Sequence, residues 1–220
     1  MRRFTIAPER IRDGRVVFDR DESRHLARVL RLRSGDTVLA ADGEGREYTV
    51  RLETIGDEAT GTVLDVGAND RESPLHITLV QSVPKGDKME TIVRASTELG
   101  VARIVPVLTE RTIVTLEPSR WRDRARRWQR VAKEAAKQCR RAVVPAVETP
   151  RSLSDALDAG AGVALLVGPE GGLAREEVEE ARERGWAIVG VGPRILRTET
   201  VGPAIIAVLQ ARLGDLGTAG

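Results

Sequence analysis

A single cysteine, Cys139, and two histidines, His25 and His76, are all that the chain offers in thiol and imidazole ligands. Cys139 has no partner for an internal disulfide, and the three side chains have no zinc-ligand spacing, so metal catalysis is not expected. No apolar run approaches the roughly 20 residues that cross a bilayer. The N-terminus, with Arg2 and Arg3 ahead of the charged stretch 9–15, lacks the apolar core of a signal peptide. A cytoplasmic protein without a membrane or metal requirement is expected. Internal repeats and low-complexity tracts are also absent.

Charged residues make up 31% of the chain and apolar ones 41%, the balance of a globular protein, and 220 residues suffice for one sizeable core or two modest ones. The net charge of +2 is small but unevenly spread. Residues 119–141 carry ten Lys/Arg against Asp123 and Glu134, and residues 1–35 carry ten arginines against five acids. Two basic islands on a nearly neutral protein point to nucleic acid.

Residues 1–70 read as a small β domain, with strands at 15–19, 37–41, 48–55 and 61–66 punctuated by Gly, Asp and Ser turns. One helix interrupts it at 22–32. Leu26, Val29 and Leu30 share one face, and Arg24, Arg28 and Arg31 lie largely on the other, either as a solvated face or as an RNA contact. The polar stretch 67–74 reads as a linker. From 74 to 220 strands and helices alternate, as in an α/β fold with a mostly parallel sheet. Strands are expected at 75–81, 103–108, 142–147, 163–167 and 187–191, with helices at 87–99, 119–138, 153–157, 173–184 and 200–213.

Between residues 165 and 200 lie three turns able to bring backbone N–H groups to one ligand. Gly168-Pro169-Glu170-Gly171-Gly172 follows an apolar strand and precedes a helix, where open α/β sheets bind ligands. It is neither GxGxxG nor a Walker A sequence, which argues against nicotinamide cofactors and ATP. Gly190-Val191-Gly192-Pro193 is the second turn, and Arg197-Thr198-Glu199-Thr200 opens an apolar final helix. Thr198 or Thr200 can serve as an N-cap, and Pro203 suits a first turn. Arg197 is different, because a permanent cation at the positive end of a helix is mildly unfavourable unless an anionic ligand meets it.

The helix at 119–138 places Trp121 and Trp128 on one face, read first as core anchors and second as base-stacking platforms. Eight basic residues between Arg120 and Lys137 exceed what solubility needs, and Arg122, Arg126 and Arg130 are read as RNA contacts. His25 and Cys139 have no catalytic partner at a recognisable spacing and are read as packing residues.

Five motifs in order, Arg24-His25-Leu26 with Val29-Leu30-Arg31, Thr97-Glu98-Leu99-Gly100-Val101, Glu134-Ala135 with Gln138 and Arg141, Gly168-Pro169-Glu170-Gly171-Gly172, and Ile195-Leu196-Arg197-Thr198-Glu199-Thr200, closely resemble the ribosomal RNA small subunit methyltransferase E family. The resemblance implies an N-terminal PUA-like β barrel over 1–70. It also implies a SPOUT-class domain over 74–220 with a deep trefoil knot near 163–202. It implies S-adenosyl-L-methionine as cofactor, N3 of a uridine in 16S ribosomal RNA of the small subunit as target, and a homodimer. Cofactor contacts would come from Leu166, Val167, Gly168, Pro169, Glu170, Gly171, Gly172, Val191, Gly192, Ile195, Leu196 and Thr200. Glu134, Gln138 and Arg141 would lie near the target nucleotide. Two departures stand out: Ala95 beside Arg94 replaces the family's usual lysine, and Val201-Gly202 replaces the usual alanine.

Uracil N3 carries a proton near neutral pH, so its methylation needs a base and a nearby positive charge. Arg197 is the candidate to stabilise the developing anion and Glu199 the candidate to accept the proton, a role that water or a phosphate could also fill. Two other functions compete: a knotted methyltransferase acting on transfer RNA or a ribose hydroxyl, and a non-catalytic RNA-binding assembly protein.

Overall fold

In the computed structural model, which describes residues 1–68, 71–158 and 162–217, the chain divides into two compact units. One comprises Met1–Glu72 with Ala136–Val144, and the other Ser73–Ala135 with Pro145–Gly220.

The first unit is a curled six-stranded sheet of β1 (Arg3–Thr5), β2 (Ile11–Arg12), β3 (Arg15–Val17), β4 (Thr37–Ala41), β5 (Arg46–Thr54) and β6 (Thr60–Ala68), in the order β1-β4-β5-β6-β3-β2. Alternation along the strands sends Phe4, Ala40, Tyr48 and Val50 into one core with Phe18, Leu26 and Leu52. Between β3 and β4 runs α1 (Arg20–Arg24), capped by Asp19 Oδ1, which accepts from the Glu22 N–H at 2.8 Å. It continues not as the α-helix expected to residue 32 but as a π-helical turn over His25–Val29. A wider turn rotates the side chains off the 3.6-residue period. Leu26 is therefore buried while Val29, expected on the same apolar face, is exposed.

The segment 136–144 belongs to this unit for reasons of charge. Lys137 Nζ donates to both Glu22 carboxylate oxygens, at 3.0 and 2.9 Å, and lies 5.2 Å from the Phe4 ring centroid. Glu72 accepts from Arg141 Nε and Nη2 at 3.1 and 2.9 Å and from the Ala142 and Val143 N–H groups, both at 3.0 Å. The strand expected at 142–147 is accordingly split: Val143 bridges Gly43 and Glu44, and only Ala146–Val147 enters the other sheet.

The second unit is an α/β fold with a parallel sheet. β7 (Ile77–Ser82), α2 (Lys88–Glu98), β8 (Arg103–Leu108), α3 (Pro118–Cys139), β9 (Ala146–Val147), β10 (Arg151–Ser152), α4 (Leu153–Ala156), β11 (Val163–Val167), α5 (Arg175–Glu183) and α6 (Thr198–Leu213) follow in order. The strand order is β10-β8-β7-β11, with β9 also on β8, and every pairing is parallel. α2 stops at Gly100, whose φ of +83° is the left-handed conformation that ends helices without a Cβ penalty. Trp121 and Trp128 are both buried, as core anchors, with ring centroids 6.5 Å apart.

The strand expected at 187–191 does not form a ladder. Trp186 is anchored by its Nε1–H to the Leu157 carbonyl at 3.1 Å, but Ile188, Val189 and Val191 beyond it are exposed. Gly190, Gly192 and Pro193 weaken strand pairing here, by backbone freedom and by the missing N–H. Among the described residues no helix is long and apolar enough to cross a membrane.

Candidate functional site

The glycine loop leaves the carboxyl end of β11 and is held by side chains from three other segments. Val167 is in register with Gln81 at the end of β7. Gln81 is completely buried, and its Nε2 donates to the Thr198 hydroxyl at 3.1 Å; that hydroxyl donates on to the Gly168 carbonyl at 2.8 Å. The first turn of α6 is thereby clasped to the start of the loop. At its middle, Glu170 accepts from Lys88 Nζ at 2.8 Å and from the Lys85 N–H at 3.2 Å. At its end, Arg111 Nη1 donates to the Gly171 carbonyl at 2.8 Å. A turn from the Gly172 N–H to the Pro169 carbonyl, 2.9 Å, closes the loop, and Gly172 has a φ of +71°.

The charges follow from this geometry. Burial alone would raise the Glu170 carboxyl, but hydrogen bonds from Lys88 and from backbone N–H groups, with the Lys88 charge, hold it below the usual carboxylate range. The Glu170 hydrogen bond in turn raises Lys88, against some desolvation. Lys88 also faces Glu199 Oε2 at 3.5 Å, and Arg197 faces Glu199 Oε1 at 3.9 Å. Glu199 is mostly buried, and its Oε2 has no hydrogen bond. Arg197 is 82% exposed at the other end of this chain of charges.

The N-cap of α6 is Arg197, not Thr198 or Thr200, and no side chain caps the helix. Thr198 is spent on the clasp, and the helix starts early enough that Pro203 lies inside it rather than in its first turn. Pro203 provides no N–H to the Glu199 carbonyl. Gly202 sits against Leu79 and Gln81, where a Cβ would make ordinary contacts at 3.4–3.6 Å, so the Val201-Gly202 departure leaves α6 regular.

The expected cofactor residues therefore fall into two sets. Leu166, Val167, Gly168, Pro169, Glu170, Gly171 and Gly172 adjoin the start of α6 with Thr200, whereas Val191, Gly192 and Ile195 are exposed and make no ladder with β11. Leu196 is half-buried. Of the expected RNA contacts, Arg24, Arg28 and Arg31 are exposed on the first unit, and Arg122, Arg126, Arg130 and Glu134 on α3. Arg126 is paired with Asp123. Gln138 is exposed, but Arg141 is buried on Glu72, which makes it an anchor of the 136–144 segment rather than a group presented to RNA. Gln81, Lys88 and Arg111 were not foreseen. Gln81 could have been, since a glutamine within the short buried strand Ile-Thr-Leu-Val-Gln-Ser calls for a buried partner.

The chain matches a family model for an RNA methyltransferase domain at residues 71–162 and 155–210, and one for an RNA methyltransferase PUA domain at residues 18–63. The parallel α/β unit with its glycine loop is thus the methyltransferase domain of an RNA-modifying enzyme class. The chain belongs to the ribosomal RNA small subunit methyltransferase E family. It is 32% identical to the member from Synechocystis sp. over 96% of this chain and 78% of the relative, and 30% identical to that of Bacillus subtilis over 82% and 83%. Among solved structures it superimposes on the Neisseria gonorrhoeae member bound to S-adenosyl methionine with a TM-score of 0.89 and 36% identity, covering 98% of this chain and 99% of that one. A putative methyltransferase from Legionella pneumophila, in complex with the same cofactor, gives 0.89 and 29% identity over 97% and 98%.

Proposed function

We propose that this chain transfers a methyl group from S-adenosyl-L-methionine to N3 of a uridine in 16S ribosomal RNA, acting as a homodimer in the cytoplasm. Support for the cofactor comes from both relatives with it bound and from the residues themselves. A loop with three glycines sits at the carboxyl end of a parallel strand, and two acceptors beside it, Gln81 Oε1 and Glu199 Oε2, lack hydrogen-bond donors. Leu166 to Gly172 would hold the cofactor through main-chain groups, and Val191, Gly192, Ile195, Leu196 and Thr200 would close on it. When bound, the cofactor supplies an activated methyl group on a positively charged sulfur.

The observation that carries the reading is the line Lys88–Glu199–Arg197 at the positive end of α6. Arg197, exposed and free to reach outward, stabilises the uracil oxygens as the N3 proton leaves. Glu199 is mostly buried with one unspent oxygen and accepts that proton. Lys88 faces the same carboxylate, with Nζ 3.5 Å from Glu199 Oε2. Arg24, Arg28, Arg31, Arg122, Arg126 and Arg130 carry the electrostatic contact with RNA, with Glu134 and Gln138 near the target. The apolar surface of Ile188, Val189, Val191 and Ile195, exposed in a single chain, is the support for pairing and for the knotted closure of 163–202.

The test is methylation of small ribosomal subunits, naked ribosomal RNA and transfer RNA, mapped by reverse-transcription stops at N3-methylated uridines. Stops in 16S RNA are expected, and Arg197→Ala should remove them while cofactor affinity stays within a few fold. Stops only in transfer RNA, or unchanged turnover in Arg197→Ala, would overturn the assignment.

A further inference from the structure

The first unit holds a second polar concavity. Partners across the sheet share a face, so the register Arg3–Leu39–Thr49–Asp65 runs as one row over β1, β4, β5 and β6, on the side opposite the core residues Phe4, Ala40 and Tyr48. Two residues along, Glu47 and Gly67 form a second such pair. An outer sheet face of this kind is ordinarily a convex, solvated surface. Here the ladder shifts register between Thr49 and Val50, and bulges bend strands and re-aim their side chains. The result is a cleft of about 420 Å³.

Its charge is unusual. Arg71 and Arg140 line it together with Arg3. Glu72 fixes the first two in place, since its carboxylate binds Arg141 and the Ala142 and Val143 N–H groups and so ties the residue after Arg71 to the residues after Arg140. Arg140 takes a φ of +67°, a left-handed conformation that costs a non-glycine residue roughly 1 kcal/mol or more. Arg3 lies deepest, with a side chain only 10% exposed. Its Nη2 stands 2.9 Å from Glu47 Oε2, yet neither Nη2 nor Nε forms a hydrogen bond. Desolvation lowers the Arg3 pKa most, with Arg71 and Arg140 adding to it and Glu47 opposing it. Among the described residues the cleft thus gathers three guanidiniums with the carboxylates of Glu47 and Asp65.

We propose that this cleft is a phosphate-binding site that seats a backbone phosphate of the RNA, with Arg71 and Arg140 as its contacts and Arg3 as the charge beneath them. Planar guanidinium forks match phosphoryl oxygens, and a desolvated cation with unspent donors is stabilised when an anion arrives. Thr49 adds a hydroxyl to the floor. The proposal rests on the reading of the chain as an RNA-binding enzyme, but not on its cofactor or target atom. It places one anchoring phosphate in the first unit, in addition to the exposed arginines 24, 28, 31, 122, 126 and 130.

The experiment is fluorescence anisotropy of a labelled single-stranded RNA on the full chain over a series of salt concentrations, without cofactor. Arg71→Ala and Arg140→Ala should each weaken binding several-fold and reduce the salt slope by about 1. Gly67→Leu keeps every charge, and no atom lies within 4 Å of a Cβ there, so it should fold and weaken binding by filling the cleft. Unchanged affinity in Gly67→Leu, or unchanged slope in both arginine variants, overturns the proposal. A second arm adds pyrophosphate: competition with RNA supports the shared phosphate site, whereas pyrophosphate stabilisation of the protein with RNA affinity unaffected by Arg140→Ala assigns the cleft to a free anion and overturns the RNA commitment. Calorimetry of S-adenosyl-L-methionine binding separates the two readings, since failure of the methyltransferase reading removes that signal and failure of the cleft proposal leaves it intact.

Discussion

Two glycine-and-proline turns, 168–172 and 190–193, look alike in sequence, each following an apolar run. The first is held at three points by Thr198, Lys88 and Arg111. The second is followed by a completely exposed Ile195 and preceded by exposed Ile188 and Val189. The difference teaches that a glycine turn becomes a site only when side chains distant in sequence arrive to hold it, and that the second turn finds no such holders among the described residues. Its missing partners are, on the reading above, the cofactor and a second copy.

Breaking the comparison should have unequal effects on the two turns. The largest is expected from valine substitutions. Gly171→Val sets a branched side chain at ordinary contact distance from Arg111, 3.4 Å between Cβ atoms, so it should lose cofactor binding with little loss of thermal stability. Gly192→Val meets nothing within 4 Å but forces a branched residue to a φ of +75°, so it should lose cofactor binding in calorimetry and melting temperature as well. Normal cofactor binding in both variants would place the pocket elsewhere.

Next is Gln81→Leu, which removes the donor of the clasp but keeps the volume. With the Thr198 hydroxyl still bonded to the Gly168 carbonyl, the cost should be about 1–3 kcal/mol in denaturant unfolding, and cofactor affinity should fall because the loop and α6 separate. A comparable loss from a change at Val191 would contradict the account. Within the first unit, Lys137→Met offers a scale for these numbers, because it strands the buried Glu22 carboxylate and should cost about 3–5 kcal/mol.

The smallest effect belongs to Lys88. Its partner Glu170 has a depressed pKa, so the pair contributes at and above the ordinary carboxylate range and is lost as the pH falls through the lowered value. Lys88→Ala should leave folding nearly unchanged at neutral pH. The fall in cofactor affinity expected on the acid side should move to higher pH in this variant, because Glu170 loses the donor and charge that hold its carboxyl down. A fall at unchanged pH in Lys88→Ala assigns it to another carboxylate.

Much of this was legible in the chain. The parallel strands β7, β8 and β11 announced themselves as short apolar runs between helices, and Gly100 and Gly185 as helix ends, because those signals are local. The π turn after Arg24 was not, since it depends on how Leu26 packs. Neither was the transfer of 136–144 to the first unit, which is decided by Lys137 and Arg141 finding Glu22 and Glu72 more than sixty residues away. Half of the site was visible in the same way. Gly168 to Gly172 and Arg197 to Thr200 are contiguous motifs, whereas Gln81, Lys88 and Arg111 join them only through the order of the strands.

The central claim is that the unheld turn closes on the held one when ligand arrives. Hydrogen–deuterium exchange of the amides of 188–192, with and without S-adenosyl-L-methionine, tests it most directly. The account predicts fast exchange in the free protein and strong protection on binding, with 168–172 changing less. Exchange at 188–192 that stays fast while calorimetry reports saturation with the cofactor would contradict it.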